Sequence, residues 1–95
     1  MGQGEYSLKR LIVTADDFGS SLAANEAIEI AHREGILTTT CLMVGAPMAK
    51  DAIKRAKKLP TLKIGLHIVV SRGYSVLSQK KVPALVDKDN QFDQN

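Results

Sequence analysis

Three apolar runs rich in β-branched residues alternate with two stretches of helical periodicity, and this alternation narrows the fold more than any other feature. The runs predict strands at Arg10 to Ala15, Ile36 to Val44 and Leu62 to Val70. Between the first two, Ala24, Ala27, Ile28 and Ala31 share one face of a helix from Leu22 to Arg33, capped by Ser20 or Ser21. Gly35 reads as its left-handed stop. Ala49, Ala52, Ile53, Ala56 and Leu59 form the apolar stripe of a second helix, Met48 to Lys58. Pro47 suits its first turn and Pro60 ends it. The order β-α-β-α-β implies an α/β fold with parallel strands and right-handed crossovers.

Active groups in such sheets gather at the carboxyl ends of the strands. Asp16 and Asp17 follow the first strand, ahead of the turn at Gly19, and His67 lies late in the third. Adjacent strand residues point to opposite faces. The two carboxylates therefore share a site only if the strand stops between them and the backbone turns. Like charges so close repel unless a cation or donors compensate. Two readings stand open here: a metal ligand beside a general base, or a helix cap beside a solvated carboxylate.

Asp17 and His67 would give an oxygen–nitrogen site suited to zinc and other first-row metals. Asp16, not bound directly, would serve as base toward water. Two ligands are fewer than the three that a catalytic centre usually takes from its protein. His67 also reads as an imidazole bonded to a nearby carbonyl. His32, in Ala-His-Arg-Glu, is a helix C-terminal charge rather than a ligand. Asn25, near the start of the first helix, either tethers the Asp loop or is solvated.

Composition removes other classes. The chain has 95 residues, 44% hydrophobic and 24% charged, an ordinary globular balance too short for two domains. Net charge is +3, from 13 Lys and Arg against 10 Asp and Glu. Its densest basic cluster, Lys54-Arg55-Ala56-Lys57-Lys58, lies on a helix without interleaved aromatics, so no nucleic-acid partner is expected. Cys41 is the lone cysteine and reads as a small buried hydrophobe. No segment approaches the roughly 20 apolar residues of a membrane span, and the start lacks a signal-like run. A reducing, cytoplasmic setting is expected. Walker, dinucleotide, Gly-x-Ser-x-Gly and Cys-x-x-Cys patterns are missing from the sequence.

Three segments together carry a family resemblance. Leu11-Ile12-Val13-Thr14-Ala15-Asp16-Asp17-Phe18-Gly19, followed by Asn25-Glu26-Ala27-Ile28, resembles the opening motif of the YdjC-like carbohydrate deacetylases. Ala31 to Val44 is similar to that family's first crossover and second strand, and Ile64-Gly65-Leu66-His67-Ile68-Val69-Val70 to its Gly-Leu-His strand. Val82-Pro83-Ala84-Leu85-Val86-Asp87 also looks like the family, closest to the branch associated with hopanoid biosynthesis. The resemblance implies a deformed (β/α) barrel that hydrolyses the N-acetyl group of an amino sugar with a divalent cation, Mg or Zn. By motif position Asp16 would be the general base, and Asp17 and His67 the metal ligands. The NodB-type deacetylases share the paired Asp but follow with His-x-x-x-His, and position 71 here is Ser.

A complete barrel takes about 250 residues. The family's third ligand is a histidine from a later strand, and no histidine follows His67. Ser71-Arg72-Gly73 also departs from the family's usual Thr-Glu-Gly. The chain thus reads as the N-terminal third of a deacetylase: one partial domain over 1–95, with residues 1–8 flexible and the site incomplete. An open three-stranded sheet leaves apolar surface, so self-association or pairing with the rest of the barrel is expected. The alternative is a non-catalytic fold or interaction module that keeps the motif.

Overall fold

The computed structural model describes residues 8–92; the lead-in expected to be flexible lies outside them except for Leu8. Five elements follow in the expected order: β1 (Thr14–Phe18), α1 (Leu22–Glu34), β2 (Thr39–Leu42), α2 (Ala49–Lys57) and β3 (Lys63–Leu66). The strands form one parallel sheet in the order β1-β2-β3. Phe18, Ile28, Leu37, Ala52, Leu59 and Leu62 make a single buried core, with Val13, Ala15, Ala31, Leu42 and Ala56 packed against it. Both helices therefore cover the same face of the sheet, the arrangement that right-handed crossovers produce.

Each strand is shorter than its apolar run. The ladder of β1 begins later than Arg10 because its partner begins only at Thr39. Leu11 and Ile12 consequently stand exposed, and Val13 makes the transition: its N–H donates to Thr38 Oγ1 and its carbonyl accepts from Thr38 and Thr39 N–H. β3 gains one ladder bond beyond its end, from His67 N–H to Leu42 O at 2.9 Å. Thr40 is fully buried and its hydroxyl donates to Ala15 O at 2.8 Å, which fixes β2 against β1.

The helix ends follow the sequence with two differences. Ser21 is the cap of α1, its hydroxyl accepting from Ala24 N–H at 3.0 Å. Gly35 does end α1, but at φ −124 rather than in the left-handed region. Glycine is needed there for space, since a Cβ would stand 2.8 Å from Ala31 O. Met48 rather than Pro47 borders α2, and it offers no side-chain cap. Its N–H donates to Gly19 O at 2.9 Å instead, so the loop after β1 serves as the cap.

Register places Ile64 beside Thr40 and Leu66 beside Leu42, on the helix side of the sheet. Two helices do not reach that far, and Ile64, Leu66 and Ile68 are exposed. Beyond β3 the chain runs in turns. Val82 to Val86 is turned, with Leu85 N–H donating to Val82 O; only Val86 of this stretch pairs, antiparallel to Phe92. A turn follows at Asp87 to Phe92: Asp87 Oδ1 accepts from Asp89 and Gln91 N–H, and Asn90 takes φ 63. Among the described residues no helix is long and apolar enough to cross a membrane.

Candidate metal centre

The two carboxylates of β1 are brought to one side by a bulge, not by the strand stopping. Ala15 pairs with Thr40 and Phe18 with Leu42, so Asp16 and Asp17 together oppose the single residue Cys41. Ala15 and Phe18 both belong to the core side, which leaves the aspartates in the interval facing away from it, both exposed. The irregularity is absorbed at Asp17, whose φ is 66. Such a left-handed residue in a bulge is ordinarily Gly, Asn or Asp.

Behind the bulge the backbone is tightly held. Ser20 N–H donates to Asp17 O, and Met43 N–H to Phe18 O at 2.8 Å. Gly19 sits at φ +106 with Met43 O and Ala49 Cα only 3.1 and 3.2 Å from where a Cβ would be. Its N–H donates to Asn25 Oδ1 at 2.7 Å. Asn25 is completely buried, and its Nδ2 donates to both Met48 O and Asp51 Oδ2 at 3.0 Å. Of the two readings of this residue, the tether is therefore the one found.

His67 continues the row of Lys63 and Gly65 on the side of β3 away from the helices. Its Nδ1 lies 3.4 Å from Asp17 Oδ1. That nitrogen is buried yet makes no hydrogen bond, because the approach of the carboxylate has ion-pair distance without hydrogen-bond geometry. Two ligand atoms each about 2.1 Å from a tetrahedral cation stand ~3.4 Å apart. An orphaned imidazole nitrogen at that separation from a carboxylate oxygen fits a shared cation. The two residues line a pocket of about 250 Å³ with Ser20, Met43, Ser71 and Arg72. A larger apolar trough of about 470 Å³, which includes Tyr74, shares Ser20, Met43 and Arg72 with it.

The structure thus brings Asp17 and His67 together, while Asp16 stands exposed beside Asp17 and does not line the pocket. Among the described residues no third Asp, Glu, His or Cys joins them as a metal cluster. His32 is occupied elsewhere: Nδ1 donates to Leu37 O at 2.7 Å, and Nε2 meets Thr61 Oγ1 at 2.8 Å. It ties the end of α1 to the segments leading into β2 and β3.

Sequence reasoning did not find the charged network that holds the two helices behind the bulge. Arg55 donates to Asp51 at 2.7 Å and to Glu29 at 3.1 Å, and Glu29 also accepts from Arg33 at 2.8 Å. The Asn25 amide, then Arg55, hold the Asp51 carboxyl below its ordinary pKa. Arg33, then Arg55, do the same for Glu29, and the Asp51 carboxylate raises Arg55. The available signals were the i,i+4 spacings of Glu29 with Arg33 and Asp51 with Arg55.

The chain is 43% identical over 83 residues to a carbohydrate deacetylase of Brevibacillus brevis, covering 87% of this chain and 33% of that one. It is 40% identical over 73 residues to a carbohydrate deacetylase of Vibrio cholerae, covering 77% and 29% respectively. The chain therefore spans about a third of the length of these curated relatives. A crystal structure of an Enterococcus faecalis protein assigned to cellobiose-phosphate cleavage superposes with a TM-score of 0.82 at 36% identity, covering 90% of this chain and 34% of that one. A family model described as YdjC-like protein matches residues 10–95, and the chain belongs to that family.

Proposed function

We propose that this chain carries the first part of a metal-dependent site for hydrolytic deacetylation of N-acetylated amino sugars. The observation that carries the reading is the buried, unbonded Nδ1 of His67, 3.4 Å from Asp17 Oδ1. Asp17 and His67 would hold the divalent cation, zinc or magnesium. When bound, the cation supplies Lewis acidity, polarising a carbonyl and making water more nucleophilic near neutral pH. Asp16, exposed beside the ligand, takes the proton of the attacking water. A C–O bond forms at the acetamide carbon, the C–N bond breaks with a proton passing to the nitrogen, and acetate and a free amine leave. The names of the relatives support a carbohydrate substrate.

Zinc titration followed by calorimetry tests the assignment. One equivalent is expected to bind saturably to the chain. Asp16→Asn is expected to weaken that binding by no more than about thirtyfold, since removing one unit charge about 4 Å from a divalent ion in water is worth ~2 kcal/mol. Failure of the wild-type chain to bind would remove the metal reading; loss of binding in Asp16→Asn would make Asp16 a ligand rather than a base.

The βαβαβ unit is, on the same reading, the N-terminal part of a (β/α) barrel. Two protein ligands are fewer than catalysis takes, so the described residues alone are expected to be inactive. Ile64, Leu66 and Ile68 would then form the seam against a further part of the barrel or a second copy. Sedimentation velocity should show association that rises with concentration and falls in Leu66→Lys. A strictly monomeric, cooperatively folded chain would contradict this.

A further inference from the structure

We infer that Asn25 is a positioning residue for the Asp17–His67 pair: its side-chain amide sets the left-handed turn that presents the Asp17 carboxylate. The inference deepens the metal reading above and rests on it only for its consequence in affinity. Asn25 touches neither pocket residue's side chain, and its effect runs through one peptide group. Gly19 N–H donates to Asn25 Oδ1 at 2.7 Å, and Phe18 O, the carbonyl of the same peptide, accepts from Met43 N–H at 2.8 Å, so this peptide is clamped on both sides. Gly19 follows Asp17 by two residues and closes the turn whose Ser20 N–H donates to Asp17 O. Asp17 itself holds φ 66 in the bulge.

The remaining bonds of Asn25 keep the acceptor aimed. Nδ2 donates to Met48 O and to Asp51 Oδ2, both at 3.0 Å, and Asp51 is fixed in turn by Arg55 at 2.7 Å. The amide cannot rotate without exchanging a donor for an acceptor on both sides. A fully buried side chain with all its bonds directed to the Asp17 turn and the border of α2 is more than a filler between helices. Without Oδ1, the Gly19 peptide loses its only side-chain partner, and the bulge is free to relax toward an ordinary strand. Asp17 would then turn away from His67.

The experiment compares Asn25→Ala with Thr40→Val, which removes the hydrogen bond of another fully buried residue without touching Gly19. The first readout needs no metal: nuclear Overhauser contacts between Asp17 β protons and the His67 ring. The second is Co²⁺ affinity from its visible absorption. Asn25→Ala is expected to lose the contact and to bind Co²⁺ about 10–100-fold more weakly, the size seen when groups that orient ligands are removed. Thr40→Val should keep both. The exchange variant Asn25→Asp with Asp51→Asn retains the acceptor for Gly19 N–H and restores a donor–acceptor pair between helices, and burial favours the neutral carboxyl whose O–H replaces Nδ2 as donor to Met48 O, so it should recover both signals. It also stands in if Asn25→Ala fails to fold; loss of the contact in the folded exchange variant overturns the inference.

Wild-type contact and affinity persisting in folded Asn25→Ala would overturn the inference while leaving the metal reading in place. Equal loss in Thr40→Val would reduce Asn25 to general stability and overturn it likewise. A wild-type chain with the contact but no Co²⁺ binding would instead remove the metal reading, and loss of the contact in Asn25→Ala would still support the positioning role.

Discussion

Replacing His67 with alanine, or Asp17 with asparagine, is expected to abolish stoichiometric cation binding while leaving the fold intact. Removing groups that merely orient ligands costs about 10–100-fold in affinity. Deleting one of two protein ligands should therefore reach or exceed the top of that range. Asparagine is chosen at position 17 because it tolerates left-handed backbone, so the change removes the charge and keeps the turn. The Asp17 side chain is 59% exposed and that of His67 31%, and substitutions at such places usually shift stability by about 0.5 kcal/mol or less. For His67→Ala the metal-free fold should not weaken at all. The nitrogen it deletes is buried without a partner, a state that itself costs about 1–3 kcal/mol. Calorimetric titration paired with urea melts checks both halves. Wild-type binding in either variant would remove that residue from the ligand set, and a parallel fall in the urea midpoint would attribute the loss to unfolding.

Phe18→Ala should have the opposite profile, with a loss of fold that carries the site with it. Phe18 is fully buried and adjoins the left-handed Asp17, so one ring anchors both the core and the bulge. Truncating a buried phenylalanine costs about 3–5 kcal/mol. At roughly 0.05–0.15 kcal/mol per residue, a chain of this size has about 5–14 kcal/mol in total. The variant should therefore be largely unfolded at a urea concentration that leaves the parent native. A loss below about 1 kcal/mol would mean that neighbouring side chains refill the space, and that the core is less dependent on this ring than its burial indicates.

Element order and strand direction were legible because helical and strand periodicities do not resemble one another. The strand ends were not. Apolar character at Leu11, Ile12 and Ile36 marks β-favouring residues, but ladder bonds exist only where a partner runs alongside, and β2 is four residues long. The convergence of Asp17 with His67 was readable from the rule that strand carboxyl ends gather active groups. The means of pairing the two aspartates was not. A bulge and a strand end both bring neighbours to one side, and nothing local separates them until the register of β1 on β2 is known. Asn25 was legible as polar and placed near the loop, but two of its three bonds depend on α2 and its border arriving 23 and 26 residues later in the chain. Arg55 is the opposite case. It sits in a basic run that reads as solvated, yet it spans two acidic partners on different helices.

Position 17 lies at the overlap of two alphabets. The backbone at φ 66 admits glycine, asparagine and aspartate at low cost. An anionic oxygen on the proposed cation admits aspartate and glutamate. Only aspartate is written in both. Glutamate, the usual conservative exchange, keeps the charge and violates the turn; glycine keeps the turn and discards the charge. Drift at this site therefore has no neutral neighbour to pass through. Asp16, one residue earlier and outside the left-handed region, would be constrained only by its proposed role as base.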